Sequence, residues 1–140
     1  MAAIACALAG AAAVEAVDID PFAAAAARLN AGLNGACLAV LAGDLVGCEG
    51  RWDLIVCGDV CYEAPMTRRI LPWLRRLAAD ADVWIADPER GYLPREGSSA
   101  FAEYRVPTTL ELEGQLERIV TLYLLQPIGP RHSTAESLRA

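Results

Sequence analysis

Four times in this chain a short apolar run stops at an aspartate, at Asp18, Asp44, Asp59 and Asp87. The runs Val14–Val17, Cys37–Ala42, Leu54–Cys57 and Val83–Ala86 read as strands, and Leu54–Cys57 is apolar on both sides, as a central parallel strand is. Helical patterns lie between them. Asp20-Pro21 predicts a helix over Pro21–Leu33, because the carboxylate caps free N–H groups and proline suits the first turn. That helix should stop around Asn34-Gly35. A second is expected over Pro65–Ala79, with Ile70, Leu71, Leu74 and Leu77 as its apolar stripe. Upstream, Ala2–Ala9 reads as a buried helix ended by Gly10. Downstream, Arg90–Ser99 reads as loop, Phe101–Val106 and Ile119–Leu125 as strands flanking a short helical or turn segment, Thr108–Leu116. A frayed tail is expected from Pro127 onward.

This alternation predicts an α/β domain: a Rossmann-like, mostly parallel sheet with helices on both faces and a right-handed crossover at each connection. In open sheets of that kind ligands bind beyond the C-terminal strand ends. All four aspartates would stand at that edge.

Composition narrows the function. The 140 residues suit one domain, and 55% hydrophobic content excludes disorder as the main state. A net charge of −6, with arginine supplying all 12 basic residues, argues against nonspecific nucleic-acid binding, which needs a basic footprint. Met1–Val14 has no basic leader, runs into Glu15 and Asp18, and falls short of the roughly 20 residues that span a bilayer. A soluble, cytoplasmic protein without a membrane partner is expected. The five cysteines show no CxxC spacing, and the one histidine, His132, lies in the tail. They are expected to be reduced bystanders, with no metal site.

The strand ends resemble those of a family. Val14-Glu-Ala-Val-Asp-Ile-Asp-Pro21 resembles the second strand of the class I, seven-β-strand S-adenosylmethionine-dependent methyltransferases, and Ala42-Gly-Asp44 resembles their third-strand motif. Trp52–Glu63 resembles the fourth strand and the motif after it. There Asp59-Val-Cys-Tyr62 fits the D-x-x-Y pattern of the protein lysine methyltransferases, not the N-P-P-Y type. Asp87–Pro94 and Tyr104–Glu113 resemble the fifth-strand loop and sixth strand of one branch. That branch methylates lysines of the electron transfer flavoprotein β-subunit and is akin to the ribosomal protein L11 methyltransferases. The resemblance implies a partial methyltransferase domain over residues 1–126 and a flexible tail over 127–140.

It also implies roles. Asp18 would accept hydrogen bonds from both ribose hydroxyls of S-adenosylmethionine, with Asp20 either a helix cap or a second contact. Asp44 would meet the adenine amino group and the Gly43 backbone the ring. Asp59, at the shared strand end, would face cofactor and acceptor. Asp59 and Glu63 would orient the incoming amine, while Tyr62 either walls the methyl path or packs in the core. Asp87, Glu89 and Arg90 would shape a substrate-side loop, or Asp87 would merely begin a turn. Glu111 and Glu113 would meet a lysine-rich partner or form a solvated acidic face. The family's first strand and Gly-rich loop have no counterpart, since Met1–Gly10 resembles the helix after that loop, so an N-terminally truncated domain is implied.

The leading expectation is methylation of lysine amines on a protein partner, the electron transfer flavoprotein β-subunit or a ribosomal protein. The alternatives are a different protein or small-molecule amine, or a truncated, non-catalytic α/β remnant. A nicotinamide-dinucleotide domain would share the ribose acid but not the D-x-x-Y.

Overall fold

The computed structural model describes residues 1–114 and 116–129. The chain divides into two compact units, Met1–Val46 and the residues from Gly47 on. His132 and most of the expected tail lie outside the described residues.

The first unit runs α1 (Ala2–Leu8), β1 (Glu15–Asp18), α2 (Pro21–Leu33), β2 (Ala39–Ala42). Helix α2 begins where the sequence predicts, and for the predicted reason. The Asp20 carboxylate accepts the Phe22 N–H at 2.8 Å and Pro21 takes the first helical position. Gly35, at φ +62°, turns the chain out of the helix, a conformation that costs glycine little. The buried positions of α2 are alanines, Ala24 and Ala31, so its backbone packs close against β1 and β2. The two strands pair in parallel, from Glu15 opposite Ala39 to Asp18 opposite Ala42. The first unit is therefore a β-α-β module preceded by a short helix.

The second unit contains β3 (Leu54–Gly58), α3 (Ala64–Leu77), β4 (Asp82–Asp87), β5 (Ser98–Pro107), α4 (Leu110–Glu113) and β6 (Glu117–Leu125). Its sheet has the order β3-β4-β6-β5, with β3 and β4 parallel and β6 antiparallel to both neighbours. The expectation of a crossover at every connection fails between β5 and β6. Only residues 108–116 join them, and a parallel crossover needs a dozen or more. Strand β5 also begins inside the stretch expected to be loop. A bulge between Ala100 and Ala102 turns Phe101 toward Trp84, whose ring lies 5.2 Å away.

The core of this unit is the buried face of α3 with the inward residues of β4 and β6. Leu71, Trp73, Leu74 and Leu77 are buried there along with Val83, Ile85, Tyr123 and Leu125. Ile70 lies only half-buried at the margin of the predicted stripe. Full burial of one such leucine contributes roughly 1.5–3 kcal/mol. The Trp73 indole N–H also donates to the Cys48 carbonyl at 2.9 Å, which pins the loop before β3 to α3. Among the described residues no helix is long and apolar enough to cross a membrane.

Candidate functional site

In the first unit the predicted cofactor residues gather at the tips of two paired strands. The Gly43 N–H donates to the Asp18 carbonyl at 2.9 Å, one step past the Asp18–Ala42 pair. Asp18 ends β1, and Asp44 follows β2 after Gly43. Each aspartate is held by the same device, a carboxylate oxygen accepting a backbone N–H two residues on. Asp18 accepts from Asp20 and Asp44 from Val46, both at 2.9 Å. Such turns fix the carboxylate's direction. Asp20 spends its Oδ1 on the helix cap, the first of its two anticipated roles.

This end of the unit suits a nucleoside. Asp18 and Asp44 are exposed, and a Cβ built on Gly43 would meet no atom within 4 Å. Acceptors on adjacent tips, with open space over the glycine, match the donors of ribose hydroxyls and an exocyclic amine. The acceptor set therefore fits S-adenosylmethionine. By contrast, a cleft of about 380 Å³ in this unit, lined by Arg28, Cys37 and Val40 among others, lies at the entry side of β2. It is away from these aspartates.

In the second unit the predicted acceptor residues follow β3. The Asp59 N–H continues the ladder by donating to the Ala86 carbonyl at 3.0 Å, and the residue takes a left-handed φ of +47°. Aspartate tolerates that region better than most side chains. Tyr62 and Glu63 are exposed. Glu63 stands at the N-cap of α3 but makes no side-chain capping bond. Its carbonyl instead receives both the Thr67 N–H and the Thr67 hydroxyl, at 3.0 and 2.9 Å. The Glu63 carboxylate is thus not consumed by the helix it introduces.

The sequence did not reveal how the next turn serves this one. Arg90, after β4, donates its Nε–H to both oxygens of Asp59 at 2.9 and 2.8 Å, and its Nη2 lies 2.7 Å from Oδ2. The Arg90 N–H points at Asp87 Oδ1 at 3.4 Å, and Asp87 itself is buried. A basic residue three places after a strand-end aspartate was the only sequence signal for this pairing. Cys61 is buried beside the cluster. Its thiol is pushed up by burial, held back by a hydrogen bond with Thr67, and pushed further by Asp87 and Asp59. Burial and then Cys61 push the Cys57 thiol up to about 12. Both sulfurs therefore stay protonated near neutrality and are poor nucleophiles. Among the described residues no cluster of His, Cys, Asp and Glu is arranged to hold a metal ion.

Beyond Arg90's loop lies an open cleft of about 450 Å³, between Pro88-Glu89 and the paired ends of β5 and β6. Its charges are already matched: Arg105 with Glu117 at 3.8 Å, Glu89 with Arg95 at 3.6 Å, and Arg118 donating to the Pro88 carbonyl.

Residues 1–61 match the family model for ribosomal protein L11 methyltransferase (PrmA). The electron transfer flavoprotein beta subunit lysine methyltransferase of Xenopus laevis is 45% identical over 93 residues, covering 64% of this chain and 38% of the relative. Its Danio rerio and Mus musculus counterparts are each 34% identical over 119 residues, 79% of this chain and 46% or 47% of theirs. The chain thus spans less than half the length of these curated relatives. A solved structure reported for the conversion of a disulfide bond into a thioacetal group during echinomycin biosynthesis superposes with a TM-score of 0.59 at 17% identity. It covers 91% of this chain and 71% of that one. At that identity the likeness is one of fold.

Proposed function

We propose that this chain, which is similar to S-adenosylmethionine-dependent methyltransferases, acts in a class I protein N-methyltransferase that modifies lysine side-chain amines. Asp18 would hold the ribose hydroxyls, with Gly43 and Asp44 on the adenine. When bound, S-adenosylmethionine supplies a sulfonium methyl group that a neutral nitrogen attacks in line, the broken bond's electron pair returning to sulfur.

The chain's own residues do the positioning. Asp59 and Glu63 accept hydrogen bonds from the acceptor amine and aim its lone pair. The proton it sheds goes to water. Tyr62, exposed between them, bounds the approach and shields the nitrogen from solvent. The carrying observation is the turn Asp59–Glu63 itself, with two carboxylates and an exposed tyrosine directly after β3 and neither carboxylate used to cap α3. The relatives' names support a protein acceptor, either the electron transfer flavoprotein β-subunit or a ribosomal protein. Five free cysteines suit a reducing compartment such as the cytoplasm.

The test is methyl transfer from labelled S-adenosylmethionine to each candidate protein, with the modified residue located by mass spectrometry. Asp59→Asn keeps the left-handed turn accessible and is expected to lower transfer at least about a hundredfold, or about 2.7 kcal/mol of barrier, with little change in melting. Label appearing on no lysine of either candidate would refute the acceptor class. Wild-type transfer by Asp59→Asn would remove Asp59 from the mechanism.

A further inference from the structure

Arg90 reaches Asp59 across 31 positions of sequence and engages both carboxylate oxygens. A fork of this kind fixes the plane of the carboxylate as well as its charge. The pair is not sealed away, since the two side chains are 32% and 37% exposed, so a small polar group can reach it. Glu89, immediately before Arg90, takes a left-handed φ of +61°, and the Arg90 N–H points back at Asp87. The loop therefore bends to deliver this arginine, and it does so at the residue assigned to the acceptor amine.

Chemistry gives the contact a consequence. A bare carboxylate beside a lysine amine favours the ammonium form, which has no lone pair to donate; a neighbouring cation does the reverse. We propose that Arg90 is a positioning residue that acts through Asp59: it cancels the carboxylate's charge and holds its orientation, so that the site accepts a hydrogen bond from a neutral lysine amine without trapping it as an ammonium. The proposal rests on the lysine-acceptor reading above. An ionised carboxylate offers about four lone-pair positions, so the fork leaves room for one N–H from the amine. The ammonium proton passes to water, and the nitrogen lone pair remains for the new N–C bond.

The other charged and titratable groups around the pair do not replace this cation. Asp87 is buried and Cys61 is held protonated. Tyr62 and Glu63 follow on the same turn and bring no positive charge. Glu89 is matched by Arg95, and Arg118 donates to the Pro88 carbonyl from β6.

The experiment is the pH dependence of kcat at a saturating concentration of a lysine-containing acceptor, from neutral to alkaline pH, in wild type, Arg90→Gln and Arg90→Lys, with melting recorded for each. Removing the charge in Arg90→Gln is expected to move the limb that reports amine deprotonation up by about one pH unit. The rate at neutral pH then falls about tenfold and is regained at high pH. Arg90→Lys keeps the charge but loses the fork, so its limb should stay in place while kcat falls. A limb unmoved in Arg90→Gln, or one that moves in Arg90→Lys, overturns the assignment. Should Arg90→Gln melt early, its profile is taken below its melting temperature, where an unmoved limb still overturns the assignment. A wild-type protein that transfers to no lysine at any pH refutes the lysine reading and this proposal with it; an active wild type with an unmoved limb refutes only the role of Arg90.

Discussion

The Gly43 N–H bonds to the Asp18 carbonyl at 2.9 Å, so the ends of β1 and β2 are locked in step. Through that one bond, two carboxylates 26 residues apart in sequence come to flank a single glycine. Neighbouring Asp20 belongs to the same turn but is spent on α2.

Asp18 and Asp20 should therefore separate under mutation. Asp18→Ala is expected to weaken S-adenosylhomocysteine binding by tenfold or more, the worth of about one charged hydrogen bond at 1.5–3 kcal/mol. Calorimetry measures it. Asp20→Ala removes a helix cap and should lower stability by about 1 kcal/mol, read by denaturant melting. Its effect on ligand affinity should be the smaller of the two. Equal losses of affinity in both variants would mean that Asp18 serves the fold alone.

Trp73 joins α3 to the loop before β3 through its bond to the Cys48 carbonyl. Trp73→Phe keeps most of the apolar burial but leaves that carbonyl without the indole. A loss of about 1–3 kcal/mol is expected in urea titrations. Leu74, fully buried on the same helix, should cost more when truncated, about 2–5 kcal/mol for Leu74→Ala. If Trp73→Phe proves the costlier variant, the loop tether outweighs core packing in this unit.

The buried thiols predict an alkaline weakness. Burial, and then Cys61, push Cys57 from 9.0 up to about 12, so the folded protein keeps a proton that the unfolded chain releases. That contribution to stability is complete below pH 9.0 and is lost as pH rises toward about 12. The urea midpoint should fall across that window, and fall less in Cys57→Ala. Below it, exposed Cys37 and Cys48 should react with a thiol reagent while Cys57 and Cys61 stay protected until unfolding. Parallel declines in wild type and Cys57→Ala would rule the thiol out as the cause.

Where signals are local, sequence reading placed the elements closely. Helix α2 matches its predicted ends because Asp20-Pro21 and Asn34-Gly35 act within one turn of the chain. Strand β3 carries its apolar run to Gly58, and the turn after it begins at Asp59 as anticipated. The likeness to the methyltransferases was legible for a related reason, since short motifs at strand ends carry both the turn chemistry and the residues proposed for the site. The strand order was harder. Nothing within β6 says that it slots between β4 and β5; the short β5–β6 connection and the cross-strand packing of Trp84 and Phe101 settle it.

By itself, then, the sequence determined an α/β chain of alternating strands and helices, an aspartate after each of four strands, and the two carboxylates and tyrosine of one turn. Those features depend on side chains acting on backbone a few residues away. Tertiary structure alone decided that Asp87 is buried and that Arg90 closes on Asp59. Burial and ion pairing join positions distant along the chain, and only the packed fold brings them within bonding distance.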